Sequence, residues 1–176
     1  MAAAGAFCPL VEALKVAEED NTRGNIALVM GHVALCEEDR IGFIAAGACG
    51  ALVKALKIAD ESDPRDRDSI ALAMANVAVC KEGRAGLAAA GACGALVEAF
   101  KEAEDHNARK NFAIAMGKLA LSEEGRTGLA AAGAIGALEA AQRMCVGCNR
   151  SIVDALDSLQ PHPHPNKRIK LSHGAS

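Results

Sequence analysis

Apolar residues recur along this chain at helical spacing, and one such pattern appears three times. In each copy, apolar side chains fall at positions i, i+3, i+4, i+7 and i+8, which is the spacing of one helix face. The three sets are Ile26, Val29, Met30, Val33 and Ala34; Ile70, Ala73, Met74, Val77 and Ala78; and Phe112, Ala115, Met116, Leu119 and Ala120. The pattern predicts three equivalent amphipathic helices, and no segment alternates as a strand would.

A second recurring run fixes the length of the repeat. The nine residues AAGACGALV at 45–53 return unchanged at 89–97, shortened as AAGAIGAL at 131–138 and more faintly as AAGAFCPLV at 3–11. Their glycines are Gly5, Gly47, Gly91 and Gly133, with spacings of 42, 44 and 42 residues. Each unit is predicted to hold a short first helix, a second helix after the glycine and a long third helix. Asp63 before Pro64, and Asp105 or Asn107, are the expected N-caps of third helices.

Repeats of about 40 to 47 residues built from two or three helices are typical of HEAT and armadillo arrays. The stretch VAVCKEGRAGLAAAGACGALVEAF at 77–100 resembles the armadillo consensus, in which a long third helix leads through a polar turn into AGAIPALVELL. The resemblance covers about residues 1–160. Where the family usually has proline, this chain has Gly50, Gly94 and Gly136, with Cys8 in the first copy. The resemblance implies an all-α, right-handed α-solenoid of about four armadillo-type repeats, the first and last incomplete.

The repeat phase divides the chain into an array and a tail. The predicted units are 1–36, 37–80, 81–122 and 123–160, followed by a disordered basic Pro/His tail at 161–176. The first unit lacks a first helix, so we expect the chain to begin within an array, as a fragment or with a partner covering that end. Residues 149–160 are predicted to be a degraded third helix that caps the array.

Cysteine, with seven residues, raises the question of metal binding. Cys36 and Cys80 share one repeat position, and Cys49 and Cys93 share another. Because the third copies are Ser122 and Ile135, which are not thiolate ligands, we predict that these four cysteines pack in the core.

One further cysteine pair lies outside the repeat pattern. Cys145 and Cys148 form a CxxC sequence that His162 and His164 follow. That spacing departs from two-cysteine, two-histidine zinc sites, whose histidines are three to five residues apart. No metal site is predicted, and a metal-linked or enzymatic adaptor that uses the CxxC pair is kept as the alternative function.

Charge and motifs narrow the function classes. The tail holds three of the 19 basic residues and none of the 22 acidic ones, so residues 1–160 carry a net charge of −6. An acidic body without Trp or Tyr is a poor platform for nucleic acid. The longest uncharged runs, such as 85–97, have 13 residues and are too short for a membrane span. Because GxSxG, phosphate-loop and HExxH motifs are absent, we predict neither an enzyme nor a cofactor.

The tail carries a motif of its own. The sequence PNKRIKL resembles a monopartite nuclear localisation signal, whose K(K/R)x(K/R) core would be Lys167, Arg168 and Lys170. The resemblance implies an importin-type receptor as partner. The alternative is a solvated, solubilising tail.

The third helices contain the predicted binding site. Armadillo proteins that hold extended peptides commonly use an asparagine ladder, and its positions here are His32, Asn76 and Lys118. Nearby Arg109, together with Lys118, would favour an acidic segment. The alternative is that these are merely exposed polar positions of amphipathic helices.

The residues four positions before the ladder bear on the kind of peptide. Nuclear-import receptors have Trp there, whereas this chain has Leu28, Leu72 and Ile114, so it is not expected to receive import signals. The sequence therefore predicts a non-catalytic protein interaction scaffold, in the nucleus, the cytoplasm or both, that binds a peptide or partner surface along its concave face.

Overall fold

The computed structural model describes residues 4–18, 20–59, 64–144 and 149–160. Within these ranges the chain forms eleven α-helices and no strand, which confirms the all-α prediction. The helices are α1 (Ala4–Val16), α2 (Asp20–Val33), α3 (Glu37–Ala45), α4 (Ala48–Ile58), α5 (Pro64–Val77), α6 (Lys81–Ala89), α7 (Ala92–Glu102), α8 (His106–Leu119), α9 (Glu123–Ala131), α10 (Ala134–Met144) and α11 (Asn149–Leu159).

The helices repeat in the order first, second, third. The first helices are α3, α6 and α9, the second are α1, α4, α7 and α10, and the third are α2, α5, α8 and α11. Each third helix packs along the next, from α2 to α5 to α8 to α11. The segment predicted as a degraded third helix is α11, which packs against both α8 and α10. The chain is therefore a solenoid in which the third helices form one continuous layer.

A glycine separates the first helix from the second in the three units that have both. Gly47, Gly91 and Gly133 adopt φ values of 86°, 85° and 81°. A residue with a Cβ costs about 1–2 kcal/mol in this left-handed conformation. This steric requirement explains why the glycine returns in each of these units.

Successive units interlock where a second helix meets the first helix of the next unit. The side chain near the start of the second helix faces a glycine of that first helix, in the pairs Phe7 with Gly42, Cys49 with Gly86 and Cys93 with Gly128. A Cβ on Gly86 or Gly128 would lie 2.8 Å from the facing Sγ. Burial raises the pKa of the Cys49 thiol to about 11, and that of Cys93 is also raised.

Arginines of the first helices hold the ends of the preceding third helices. Arg40 Nε donates to Ala34 O at 2.9 Å, and Arg84 Nη1 donates to Val79 O at 2.9 Å. Arg126 Nη1 makes the equivalent bond to Ala120 O at 3.1 Å. These cations satisfy carbonyl groups that a helix C-terminus leaves without partners and complement its negative dipole end.

The prediction that Cys36 and Cys80 pack in the core is wrong. Cys36 is exposed and Cys80 is half-buried, and both are N-cap residues of first helices. Cys80 Sγ accepts a hydrogen bond from the Gly83 N–H at 3.4 Å, as Ser122 Oγ does from Gly125 at 3.1 Å. Serine in the third copy reflects a capping position, because its oxygen is a preferred N-cap acceptor. Cys49 and Cys93 are buried, as predicted.

The interior is built from the remaining apolar positions of the repeat. Met74 and Leu96 are fully buried, whereas Val29, although on the predicted apolar face of its helix, is half exposed. Asp105 caps α8 by accepting from the N–H groups of Asn107 and Ala108, which confirms Asp105 rather than Asn107 as the cap. Asp63, the other predicted N-cap, lies outside the described residues.

Membrane-span criteria give a mixed result for the described ranges. No single helix there is long and apolar enough to cross a membrane. The pair α3 and α4 satisfies the length and composition criteria when taken together, with a bend of 76° between the two helices.

Candidate functional site

The third helices approach one another closely because small residues face each other. A Cβ on Gly31 would lie 3.2 Å from the Cα of Ala73, and one on Gly117 would lie 3.4 Å from the Cα of Ala155. The backbones therefore pack side by side and leave one side of each helix uncovered. We call the uncovered side of α2, α5, α8 and α11 that carries His32, Asn76 and Lys118 the third-helix face.

The three predicted ladder residues differ in how free their side chains are. His32 is exposed, and its Nδ1 lies 2.8 Å from Leu28 O of its own helix. Asn76 is half-buried and its Nδ2 donates to Gly31 O of the neighbouring helix at 2.9 Å. Lys118 is exposed. Asn76 thus ties α2 to α5, and this leaves its carbonyl oxygen and second N–H for a ligand.

A fourth position of the ladder, which the sequence analysis did not predict, lies on α11. We call each of the four ladder positions a rung. Ala155 faces Gly117 as Ala73 faces Gly31, so the two alanines occupy one repeat position. Three residues further on, the counterpart of Asn76 is Ser158, whose Oγ donates to Asp154 O at 2.7 Å. The last unit is shorter than the others, so counting 42 or 44 residues from Lys118 does not reach this serine.

A cavity of about 340 Å³ opens between α8 and α11 on the third-helix face. Lys118, Ser151, Asp154 and Ser158 supply its polar lining, and the apolar lining comes from Ala113, Ile114, Gly117, Leu121 and Ala155. The Asp154 carboxylate lies 3.5 Å from Arg150 Nε, and both of these side chains are exposed. The cavity can hold an aliphatic stem while polar groups at its edge meet a peptide backbone or a charged end.

An acidic group also belongs to this face. Asp68 lies four and eight residues before Leu72 and Asn76, hence on the same side of α5. Asn111 Nδ2 of α8 donates to its Oδ1 at 2.6 Å. Burial raises the pKa of the Asp68 carboxyl, and the Asn111 hydrogen bond opposes this with a smaller effect. The face therefore presents charges of both signs rather than a uniformly basic surface.

The structure does not bring Arg109 to the third-helix face. Nine residues separate it from Lys118, which places the two on opposite sides of α8 at 3.6 residues per turn. Arg109 Nε donates to Ala103 O at 2.6 Å, and the residue lines a cavity of about 120 Å³ with residues of α7 and α10.

Arg109 belongs instead to a set of third-helix arginines that bond to the end of a second helix or to the turn that follows it. It has the repeat position of Arg23 and Arg67. Arg23 donates to Glu18 O at 3.0 Å, and Arg67 donates to Glu102 Oε2 at 2.7 Å. The recurrence of arginine at this repeat position is the signal in the sequence that could have indicated a structural role for Arg109.

The positions four residues before the ladder carry aliphatic side chains. Leu72 and Ile114 are half-buried, and Leu28 is slightly more exposed. The floor of the face is therefore aliphatic beside the polar rungs.

Several predicted site residues lie outside the described residues. These are Cys145 and Cys148, the tail histidines, and the basic triplet Lys167, Arg168 and Lys170. Among the residues that the structure does describe, no group of three or more His, Cys, Asp or Glu side chains could hold a metal ion.

Solved structures similar to this chain include armadillo repeat proteins made by design. One is a designed armadillo repeat protein in complex with the peptide (KR)4, 28% identical, with a TM-score of 0.77. A second designed armadillo repeat protein is 29% identical with a TM-score of 0.77, and a computationally designed one for modular peptide recognition is 28% identical with a TM-score of 0.78. Each match covers 89% of this chain and 65% of the other. No protein-family model and no curated protein matches the chain. The fold is that of an armadillo-like repeat solenoid.

Proposed function

We propose that this chain is a non-catalytic scaffold whose third-helix face binds an extended segment of a partner protein. The observation that carries the proposal is the row of His32, Asn76, Lys118 and Ser158, one rung on each of four adjacent helices. Packed helices are roughly 8–10 Å apart, and an extended chain advances about 3.3 Å per residue, so two to three peptide residues would span one rung.

The similar designed proteins support this proposal. One of them is in complex with a peptide, and another is described as made for modular peptide recognition. Amide groups such as that of Asn76 can both donate to and accept from a peptide backbone, which suits a ligand recognised through its main chain. The cavity beside Lys118 would take one side chain of the peptide.

We further propose that a carboxylate of the peptide meets Lys118, so that an acidic segment is preferred at the α8 end. Lys118 is exposed there, while Arg109 is turned to the other side of its helix. This preference is local, since Asp68 and Asp154 place negative charge elsewhere on the same face.

The test selects peptides against the full chain from a random display library and measures their affinity by fluorescence anisotropy. Asn76→Ala and Lys118→Glu should each weaken binding about tenfold, the equivalent of one hydrogen bond to a charged or backbone group. The loss for Lys118→Glu should shrink as salt rises. Asn107→Ala and Lys101→Glu are the matched controls, because both residues are exposed and neither is at a rung position.

Two results would count against the proposal. Unchanged affinity in both rung variants would move the peptide off the third-helix face. Equal losses in the rung and control variants would point to an unspecific charge effect.

For the tail, we propose that Lys167, Arg168 and Lys170 form a nuclear localisation signal read by an importin-type receptor, so that the protein reaches the nucleus as well as the cytoplasm. The support is the sequence PNKRIKL between prolines and polar residues. Residues 161–176 fused to a reporter too large for passive entry should concentrate in nuclei. Lys167→Ala with Arg168→Ala should abolish this, and equal distribution of the unchanged fusion would overturn the assignment.

A further inference from the structure

Three exposed aliphatic residues occupy one repeat position in the turns between third and first helices. They are Leu35, Val79 and Leu121, with 64%, 46% and 56% of their surface exposed. Each directly precedes the N-cap residue of a first helix. We call these three residues the corner stripe. Leu121 also lines the cavity between α8 and α11, whereas Leu35 and Val79 line neither of the cavities described above, and the packing of the solenoid does not account for their exposure.

Arginine side chains hold the backbone of each turn that carries a residue of the stripe. Arg40 Nη2 donates to Leu35 O at 3.2 Å, and Arg84 Nη1 donates to Val79 O at 2.9 Å. In the third turn, Arg126 holds the preceding carbonyl, that of Ala120. Because these arginines fix the turn carbonyls, the aliphatic side chains are preorganised at the surface and would lose little backbone entropy on binding.

Acidic side chains flank the stripe in the first turn of each following helix. They are Glu37, Glu38 and Asp39 on α3, Glu82 on α6, and Glu123 and Glu124 on α9. A favourable interaction with the helix dipole accounts for acids at these positions. It does not account for exposed aliphatic residues beside them. Exposed Lys81 is the exception to this acidic pattern, because it stands on α6 where α3 and α9 have Glu37 and Glu123. The nearby arginines direct their guanidinium groups to backbone carbonyls, so the charge in these first turns is mainly negative, with six acidic side chains and one lysine.

We propose that the corner stripe is a second docking surface, which lies beside the rungs and adjoins the third-helix face at Leu121, for a basic amphipathic helix of a partner protein. The charge complements lysine or arginine side chains, and the aliphatic row complements an apolar seam. Neighbouring packed helices are roughly 8–10 Å apart, which sets the spacing along the stripe. On the partner helix, two residues seven positions apart lie on the same side and are about 10.5 Å apart. A helix with leucine at every seventh position therefore matches the row. In a β-strand, residues on one side are about 6.7 or 13 Å apart, which does not match.

The proposal is tested with the full chain and a fluorescein-labelled synthetic helix of three heptads, with leucine at every seventh position and lysines on both sides. Leu35→Ser with Val79→Ser should weaken binding by about tenfold or more, because two aliphatic contacts are lost and neither residue lines the cavity of the third-helix face. The matched control is Val16→Ser with Ile58→Ser, two aliphatic residues at helix ends that are 72% and 49% exposed but lie outside the stripe. The control pair should change affinity less than about twofold.

A second pair of variants isolates the charge. Glu123→Gln with Glu124→Gln should weaken binding of the basic helix at low salt, and the difference should fade as salt rises. Glu98→Gln with Glu139→Gln is the control, since both residues are exposed on second helices. Thermal melts of all variants establish that the fold is intact.

Further variants decide between this surface and other occupants. His32→Ala with Asn76→Ala should leave the affinity for the probe unchanged, whereas an equal loss would place the probe on the third-helix face and overturn the proposal. Lys167→Ala with Arg168→Ala and Lys170→Ala should also leave it unchanged. Tighter binding in that variant would mean that the chain's own tail competes for the surface, which would overturn the assignment to a partner.

Two results with the probes alone would also overturn the proposal. One is that the heptad helix does not bind. The other is that a polyproline probe with leucine at every third residue, which repeats at about 9 Å, binds more tightly than the heptad helix.

Discussion

The junctions between units keep one residue the same in every copy, whereas the rungs of the third-helix face carry a different residue in every copy. At each junction a side chain of a second helix meets a glycine of the next first helix, in the pairs Phe7 with Gly42, Cys49 with Gly86 and Cys93 with Gly128. On the third-helix face the equivalent positions carry four different residues, His32, Asn76, Lys118 and Ser158. The junction glycine is constant because the facing side chain leaves no room for a Cβ, whereas the rungs are exposed or half-buried positions at which side chains of different size and polarity fit.

This difference separates stability from recognition along the same repeat. Positions where the copies agree should govern the free energy of unfolding, and rung positions where they differ should govern binding. The predictions below test this separation, first in the interior and at the junctions and then at the rungs.

The largest effect is expected in the interior. Met74→Ala or Leu96→Ala should lower the free energy of unfolding by about 2–5 kcal/mol, because each residue is fully buried and its truncation leaves a cavity. Chemical denaturation measures the loss. Lys81→Ala, at an exposed position, is the control and should change little. An unmoved midpoint for Met74→Ala would mean that the side chain is not in the core.

The next effect is on cysteine reactivity. Burial raises the pKa of Cys49 from 9.0 to about 11, so at pH 8 its thiolate fraction is about a hundredfold below that of an ordinary thiol. Alkylation by iodoacetamide, followed by mass spectrometry, should therefore modify exposed Cys36 well before Cys49. Because the raised pKa keeps the thiol protonated, the Cys49 rate should rise about tenfold per pH unit up to about pH 11.

Denaturant provides the control for this experiment. In the unfolded chain both cysteines are solvated and should react at similar rates. Equal rates in the native protein would show that Cys49 is not shielded by the junction with Gly86.

A smaller effect is expected from the junction glycines. Gly86→Ala should destabilise the fold by about 1 kcal/mol, since the new Cβ would lie 2.8 Å from Cys49 Sγ and overpacking outweighs the gain in helix propensity. Gly50→Ala is the matched control. Nothing lies within 4 Å of its Cβ position, so alanine should stabilise the helix by about 0.5–1 kcal/mol.

A double-mutant cycle checks the cause. In a Cys49→Ala background, the cost of Gly86→Ala should vanish because the facing sulfur is gone. A cost that persists in this background would assign the strain to another contact.

The smallest effect is expected at the rungs. His32→Ala and Lys118→Ala should each change the free energy of unfolding by less than about 0.5 kcal/mol, as is usual for exposed positions. A loss above 1 kcal/mol in thermal or chemical melts would contradict the separation of binding from stability.

The errors of the sequence-based predictions have identifiable physical causes. Cys36 and Cys80 share a repeat position with Ser122, and this position caps a first helix instead of lining the core as predicted. Arg109 is close to Lys118 in the chain, yet half a helical turn of rotation separates their side chains. For the cysteines, the serine at the same repeat position indicates a helix cap. For Arg109, the helical period of 3.6 residues places it on the side of α8 opposite Lys118.

Local physics determined much of this protein from its sequence. The 3.6-residue periodicity of apolar side chains predicts the third helices, Asp105 predicts a helix start, and the recurring glycine predicts the break that Gly91 makes with its positive φ. Each of these depends on residues a few positions apart, so the sequence displays them directly. The repeat carries the same information across the array.

Contacts between distant residues decided the rest. Asn76 donates to Gly31 from 45 positions away, which occupies part of the amide that a ligand would use. The fourth rung at Ser158, the cavity between α8 and α11, and the exposure of the corner stripe depend on how whole helices stack. Stacking is set by the volumes of facing side chains such as Gly117 and Ala155, and periodicity along one helix contains no information about its partner across the gap.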